Sequence, residues 1–253
     1  MPIQVSGEEL ERLLGLLRGS NSVEIKLTIP ESSRYATLDA LKIDPLEARI
    51  RQVFFFDTPE LTLNKAGIVV RARRIQDAAA DTTVKLRPVV PDELPKSLRK
   101  DPAFTIEVDA MPGGFVCSGS LKGVSTNEQV GASTAVKTKA KVRKLFTSEQ
   151  RALYREHAPD GVGLDDLSVL GPINVLKLKT IPKAFGRKVA VELWNYPDGS
   201  RILELSTRCL PSEAFQVAAE VQARVEASDL NLTGKQQTKT QAALRYFSRE
   251  LQD

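Results

Sequence analysis

Six short segments alternate charged and aliphatic residues with a period of two. They read Val23-Glu24-Ile25-Lys26-Leu27, Val70-Arg71-Ala72-Arg73, Val84-Lys85-Leu86-Arg87, Ile106-Glu107-Val108-Asp109, Leu176-Lys177-Leu178-Lys179 and Leu203-Glu204-Leu205. A β-strand turns successive side chains to opposite faces, so each segment puts its charges on one face and its aliphatics on the other. One such strand is an ordinary half-exposed strand, whereas six imply a sheet with one charged and one apolar face. Closure of that sheet would make the charged face line a tunnel and pack the apolar face under helices. The alternative is an open sheet whose charges are solvated and mutually paired.

The rest of the pattern fills in the elements. Ser6 and Glu9 have capping-box spacing, and Leu10, Leu13, Leu14 and Leu17 follow at helical intervals. Strands are predicted over 22–29, 51–56, 68–74, 83–87, 104–109, 173–181, 188–194 and 201–207. Asp57 or Thr58 would cap a turn over 60–65 that Gly67 ends, and Tyr196-Pro197-Asp198-Gly199-Ser200 reads as a hairpin turn. Between about 110 and 171 the alternation fades among glycines, which predicts a long loop, an insertion or lid, with a helix starting near Ser148 and holding Leu153 and Tyr154. Two closing helices are predicted. One starts at Ser212 with Phe215, Ala218, Val221 and Val225 on its stripe, and the other runs over 236–250. The expected architecture is α+β: a single domain over 1–253, built as an eight-stranded antiparallel tunnel with a charged interior, flanked by helices.

Composition narrows the classes. The chain has 253 residues, 42% of them hydrophobic, enough for one sizeable core. Lys and Arg (36) barely exceed Asp and Glu (32), so placement matters more than net charge. No apolar run approaches the ~20 residues of a membrane span and no signal-peptide core follows Met1, so a cytoplasmic protein is expected. Cys117 and Cys209 then read as reduced thiols rather than a disulfide. A single His157 excludes His-based metal clusters and most His-dependent triads. Thr233-Gly234-Lys235-Gln236 lacks the earlier Gly and the following Ser or Thr of a phosphate-binding loop.

Strand parity assigns to the charged face Glu24, Lys26, Arg71, Arg73, Lys85, Arg87, Glu107, Asp109, Lys177, Lys179, Lys188, Glu192 and Glu204. Unpaired charge in a cavity is too costly to leave dry, so an excess of cations there suits a polyanion. Rows of Lys and Arg at strand spacing can grip a linear chain of phosphates. The carboxylates argue against a pure anion sink: Glu24 and Glu204, with Glu107 and Asp109 as neighbours, could hold a hard divalent cation, Mg²⁺ or Mn²⁺. Nucleic-acid binding is the competing class. It is disfavoured because aromatics make up only 6% and do not interleave with the basic strands.

Ser22-Val23-Glu24-Ile25-Lys26 resembles the E-x-E-x-K signature of the CYTH superfamily, the triphosphate tunnel metalloenzymes. Phe54-Phe55-Phe56-Asp57-Thr58-Pro59, with Gly67 and Arg71-Ala72-Arg73 after it, is similar to that family's Y-F-D-T-P … G … R-x-R block. Lys85, Arg87, Glu107, Lys177, Lys179 and Glu204 fall in the family's order. The resemblance covers nearly the whole chain except 110–171. It implies a tunnel that binds triphosphate with Mg²⁺ or Mn²⁺, as in thiamine triphosphatases, inorganic triphosphatases and class IV adenylyl cyclases.

The implied roles follow from it. Arg71, Arg73, Lys85, Arg87, Lys177, Lys179 and Lys188 would bind phosphates. Glu24 and Glu204 would be the main metal ligands. Lys26 would neutralise charge, and Glu192 would orient the attacking water. Ser22 and Ser206 stand where the family has further glutamates, which favours one metal over two. The expected function is metal-dependent hydrolysis of a triphosphate-containing substrate. Class IV-type cyclase chemistry and non-catalytic triphosphate binding are the alternatives.

Overall fold

The structure, a computed structural model, describes residues 6–135, 141–183, 185–227 and 239–252. In chain order its main elements are α1 (Gly7–Arg18), β1 (Ser22–Ile29), α2 (Arg34–Ala40), β2 (Arg49–Asp57), α3 (Thr62–Lys65), β3 (Ile68–Ile75), β4 (Ala80–Leu86), α4 (Lys96–Lys100) and β5 (Phe104–Met111). After these come β6 (Gly114–Ser125), α5 (Asn127–Thr134), α6 (Ser148–His157), β7 (Ser168–Thr180), β8 (Val189–Asn195), β9 (Arg201–Cys209), α7 (Ala214–Ala227) and α8 (Lys239–Gln252).

The sheet closes on itself in the order β1-β5-β6-β4-β3-β2-β7-β8-β9. This corrects the expected eight-stranded, all-antiparallel tunnel: the barrel has nine strands and is mixed, because β1 runs parallel to β5 and antiparallel to β9. The additional strand is β6, inside the stretch read as a long loop. It pairs along its length with both β4 and β5. Its outward positions include Gly119 and Gly123, where a Cβ would lie 2.3 Å from the Phe104 ring and 2.7 Å from Gln150 Oε1. Close approach of neighbouring side chains therefore replaced the aliphatics that would have shown the alternation. Gln150 of α6, fully buried, completes that contact by donating to Leu121 O (3.0 Å) and accepting from Thr82 Oγ1 (2.9 Å).

Two apolar cores result. The larger lies outside the barrel, where Val23, Ile25, Leu27, Val70, Val84, Val108 and Leu205 face Leu16 and Leu17 of α1, Val217 and Val221 of α7, and Leu153 of α6. On α7 the buried residues are Ala214, Val217 and Val221: Val221 is on the predicted stripe and Val225 packs partly against the same core, but Ala214 and Val217 take the places expected of Phe215, which is 51% exposed, and of Ala218. On α1, Leu10 and Leu14 are about 40% exposed, while the Ser6–Glu9 capping box forms as predicted. The second core lies within the barrel. At one end Val53 and Phe55 of β2, Ile173 and Val175 of β7, and Trp194 of β8 pack against Ala243 and Leu244 of α8, with Val69, Ile202 and Phe247 alongside. The predicted start of this helix, at 236, lies outside the described residues.

Asp57 turns the chain from β2 into α3, accepting from the Leu63 (2.8 Å) and Asn64 (3.0 Å) amides, and Thr58 Oγ1 accepts from Thr62 N (3.1 Å). Gly67 follows with φ +76°, and its missing Cβ would sit 2.8 Å from Arg87 O. Any side chain there would push β3 away from the end of β4 and displace Arg87. Both cysteines are buried and free. Among the described residues no helix is long and apolar enough to cross a membrane.

Candidate active site in the barrel bore

The bore holds a cavity of about 370 Å³ whose wall carries eleven cations and five carboxylates. Of the thirteen residues assigned to the charged face, eleven line it. Asp109 lies behind the wall, fully buried, and Lys188 stands at one mouth beside Lys179 and Arg208. Four cations and one carboxylate on the wall escaped the sequence reading: Arg51, Lys122, Arg208, Lys239 and Asp81. Asp81 and Arg208 continue the alternation of β4 and β9, so extending it would have found them, whereas Arg51 and Lys122 lie on β2 and β6, where the pattern shows no face. Lys239 comes from a helix, where no period-two signal exists.

The acidic groups separate into two sites. Carboxylate oxygens of Glu24, Glu107 and Asp109 lie within 4.8 Å of one another, brought together by the parallel β1–β5 register that sets Ser22 beside Glu107 and Glu24 beside Asp109. The two serines that depart from the family pattern hold these carboxylates. Ser22 Oγ donates to Glu107 Oε2 (3.2 Å) and Ser206 Oγ to Glu24 Oε1 (2.9 Å). Lys26 Nζ bridges Asp109 Oδ1 (2.7 Å) and Glu24 Oε2 (3.1 Å), and Arg87 donates to Asp109 Oδ2 (2.8 Å). Glu204 stands outside this group, 2.6 Å from Lys239 Nζ, which also binds Glu192. Glu192 accepts further bonds from Lys177 and from Trp194 Nε1 (3.0 Å).

These contacts order the charge states. Burial works against the Lys26 ammonium, but Asp109, Glu24 and Glu204 overcome it and push its pKa up. Burial likewise opposes ionisation of Asp109 and Glu192, yet Lys26, Lys85 and Arg87 hold the first carboxyl low, and Lys239 and Lys177 hold the second well below the carboxylate range. Glu107 moves the other way, raised by burial and by the Glu24 charge. Burial, helped by Lys26 and Arg87, pulls the Lys85 ammonium down to about 8 against the attraction of Asp109.

The cations differ in what they hold. Arg73 is clamped by Asp81, with Nε 2.8 Å from Oδ1. Arg51, Arg71, Lys85, Lys122 and Lys179 have no carboxylate partner among the described residues. Arg71 gives one bond to Thr83 Oγ1 (3.3 Å), and its buried Nε, like that of Arg51, has no acceptor. Buried donors without partners are rare and mark a place where an acceptor belongs.

The fold is shared with solved structures. A "putative adenylate cyclase" from Bacillus halodurans superposes with a TM-score of 0.61 at 12% identity, covering 88% of this chain and 97% of its own. A "putative adenylyl cyclase" from Hippeastrum, described as having a dominant triphosphatase activity, gives a TM-score of 0.63 at 16% identity, covering 89% of this chain and 95% of its own. No family model matches the sequence, and no curated protein matches it. The likeness is one of fold, and it agrees with the CYTH resemblance read from the motifs.

Proposed function

We propose that the protein binds the triphosphate group of a small molecule in the bore and hydrolyses it with the help of a divalent cation. The carrying observation is the set of bore cations without carboxylate partners, Arg51, Arg71 and Lys85 among them, whose donors face an enclosed space. Phosphate oxygens accept several charge-assisted bonds each, and a linear triphosphate offers them at intervals that suit residues two apart on neighbouring strands. Arg71, Arg73, Lys85, Arg87, Lys177 and Lys179 are assigned to the phosphates, with Lys188 at the mouth guiding the anion inward.

Hard carboxylate oxygens are the donor set that Mg²⁺ and Mn²⁺ favour, so Glu24, Glu107 and Asp109 fit such an ion. This moves the metal site from the expected Glu24–Glu204 pair towards β1 and β5, with Glu204 tied to Lys239. When bound, the cation would neutralise charge on phosphate oxygens and lower the cost of bringing a nucleophile close. Lys26 contributes fixed positive charge beside it. Glu192, saturated by Lys177, Lys239 and Trp194, serves as an anchor for those cations in this reading and not as the group that orients water. In hydrolysis a water oxygen forms a bond to the terminal phosphorus, the bridging P–O bond breaks, and the displaced diphosphate leaves with the electron pair. The water proton passes to solvent or a neighbouring carboxylate. Such a transfer needs positioning and charge neutralisation more than covalent help. The fold neighbours' names favour cyclase chemistry as the second reading.

Glu24→Gln tests the assignment, since it removes a charge with almost no change in volume. Turnover of a panel of triphosphates with Mg²⁺ or Mn²⁺, read as phosphate, diphosphate and cyclic-nucleotide release, should fall at least about a hundredfold at limiting metal while thermal unfolding stays within a few degrees. Near-normal rates at limiting metal would remove Glu24 from the metal site. Diphosphate release with a cyclic nucleotide would move the reaction to the cyclase class.

A further inference from the structure

Glu192 of β8 and Glu204 of β9 stand directly opposite each other in the antiparallel register, both on the inward face. Side chains paired in this way lie close, and two carboxylates there repel unless a cation comes between them. Lys177 reaches only Glu192, through Oε1. Lys239 reaches both: its Nζ binds Glu192 Oε2 and lies 2.6 Å from Glu204 Oε1. Among the described residues no other cation is within ion-pair distance of Glu204.

Lys239 does not belong to the sheet. It is the first residue of α8, and that helix delivers it into the bore. Three contacts fix it there. Tyr196 Oη donates to Lys239 O (3.1 Å), and the centre of the Trp194 ring lies 5.1 Å from Nζ. Ala243 and Leu244, about one turn further along, are buried against residues of β2, β7 and β8. An ammonium with an aromatic ring on one side and two carboxylates on the other is a well-defined place for one positive charge.

Paired carboxylates in a bore are also what a hard divalent ion seeks. We propose, resting on the reading of the bore as a site for triphosphate and one divalent ion, that Lys239 is a built-in cation which takes the place of a second such ion between Glu192 and Glu204. The single metal ion then belongs to Glu24, Glu107 and Asp109, and the other positive centre is covalently part of the chain. The rest of the wall agrees with this division. Ser22 and Ser206 donate to Glu107 and Glu24 where further carboxylates would have served another ion. Because the ammonium rides on α8, the seating of that helix and the loading of the Glu192–Glu204 pair with metal exclude each other. Lys239 is thus a positioning residue: it holds two carboxylates apart from the phosphate site and sets the number of metal ions.

The test is a titration of the whole chain with Mn²⁺ and no phosphate ligand. Calorimetry counts the ions, and the fluorescence of Trp194, the only tryptophan of the chain, locates them. Mn²⁺ is paramagnetic and quenches an indole close to it, and Trp194 Nε1 donates to Glu192 Oε2 (3.0 Å). The wild type should take up one ion per chain. Glu204→Gln should keep that ion and Glu24→Gln should lose it. Lys239→Met, which keeps the length of the side chain and removes its charge, should gain a second ion and a strong quench of Trp194. Adding Glu204→Gln to Lys239→Met should abolish both gains. A Lys239→Met protein that binds no more Mn²⁺ than the wild type overturns the inference and leaves the Glu24 site standing. So does a wild type that already binds two ions and loses one on Glu204→Gln. Should Lys239→Met fail to fold, Glu204→Gln decides alone: retention of the ion supports the inference and its loss overturns it. A wild type that binds no ion overturns the Glu24 site instead, and the role of Lys239 is then decided by whether Lys239→Met gains its first.

Discussion

The two ends of the barrel are built on the same strands and solve opposite problems. Towards Lys179, Lys188 and Arg208 the bore is open and charged. Towards Trp194 and Val53 its inward face is apolar and packs against α8, while beside Val69, Met111 and Val116 the same end stays open. At the plugged end, stability is that of any packed core. On the charged wall of the bore, cations held without a carboxylate partner, such as Arg71 and Lys85, must lower stability, and a bound anion would restore it. One barrel thus carries a packed apolar region beside one whose cations are left without carboxylate partners.

Truncation at the plugged end should have the largest effect. Leu244 is 2% exposed, and Leu244→Ala should cost about 2–5 kcal/mol, as buried leucine truncations do. The loss should appear as a lower urea midpoint, or as faster hydrogen exchange in α8 if that helix detaches by itself. An unchanged protein on both readouts would mean that α8 does not seal the bore.

Charge removal on the bore wall should act next, and with the opposite sign for stability. Arg71→Ala and Lys85→Ala should each weaken triphosphate binding by about 1.5–3 kcal/mol, roughly 10- to 150-fold. The metal-free, ligand-free protein should at the same time become no less stable, since each variant removes a buried cation that lacks a carboxylate partner. Arg73→Ala, by contrast, should destabilise the free protein, because it strands Asp81. Equal losses of stability in all three variants would erase the distinction between ligand-directed and structural cations.

The smallest effect is a pH dependence. Lys85, pulled down to about 8, is mostly protonated at pH 7 and mostly neutral at pH 9 in the free protein. Binding an anion there above pH 8 must take up a proton, so metal-free affinity should fall as pH rises. The Lys85 contribution approaches about tenfold per unit beyond its pKa. Lys85→Arg should flatten the profile, because a guanidinium keeps its charge across that range. A wild-type profile flat from pH 7 to 9 would show that Lys85 does not meet the anion.

Legibility in the sequence followed the same division. Where inward charge alternates with outward aliphatics, as in β1, β3, β5 and β9, strand and face could be read together. In β2 and the first half of β7, Val53, Phe55, Ile173 and Val175 are apolar on the inward side too, so periodicity carried no facing information and the plug was not foreseen. β6 was lost because serine and glycine take both its faces. The acidic cluster was half legible. Glu24, Glu107 and Asp109 were found by parity, but their grouping depends on which strand lies beside β1, and that is a property of the closed barrel. Ser22 and Ser206 were seen as departures from a motif, and only their hydrogen bonds give them a physical role.

The neighbours of β1 also set the order in which this molecule can assemble. An edge formed by residues 22–29 finds its first partner some eighty positions later, in β5, and its second, β9, only near residue 205. Both contacts span long loops whose closure entropy must be met before any bond rewards it, which is the condition for slow folding. β2, β3 and β4, joined by short connections, can pair early and leave β1 waiting as an unpaired edge. The carboxylates of Glu24, Glu107 and Asp109 should therefore meet only once β1 has joined β5, after the short-range pairing of β2, β3 and β4. Recovery of divalent-ion binding after dilution from denaturant should lag behind the recovery of β-sheet signal.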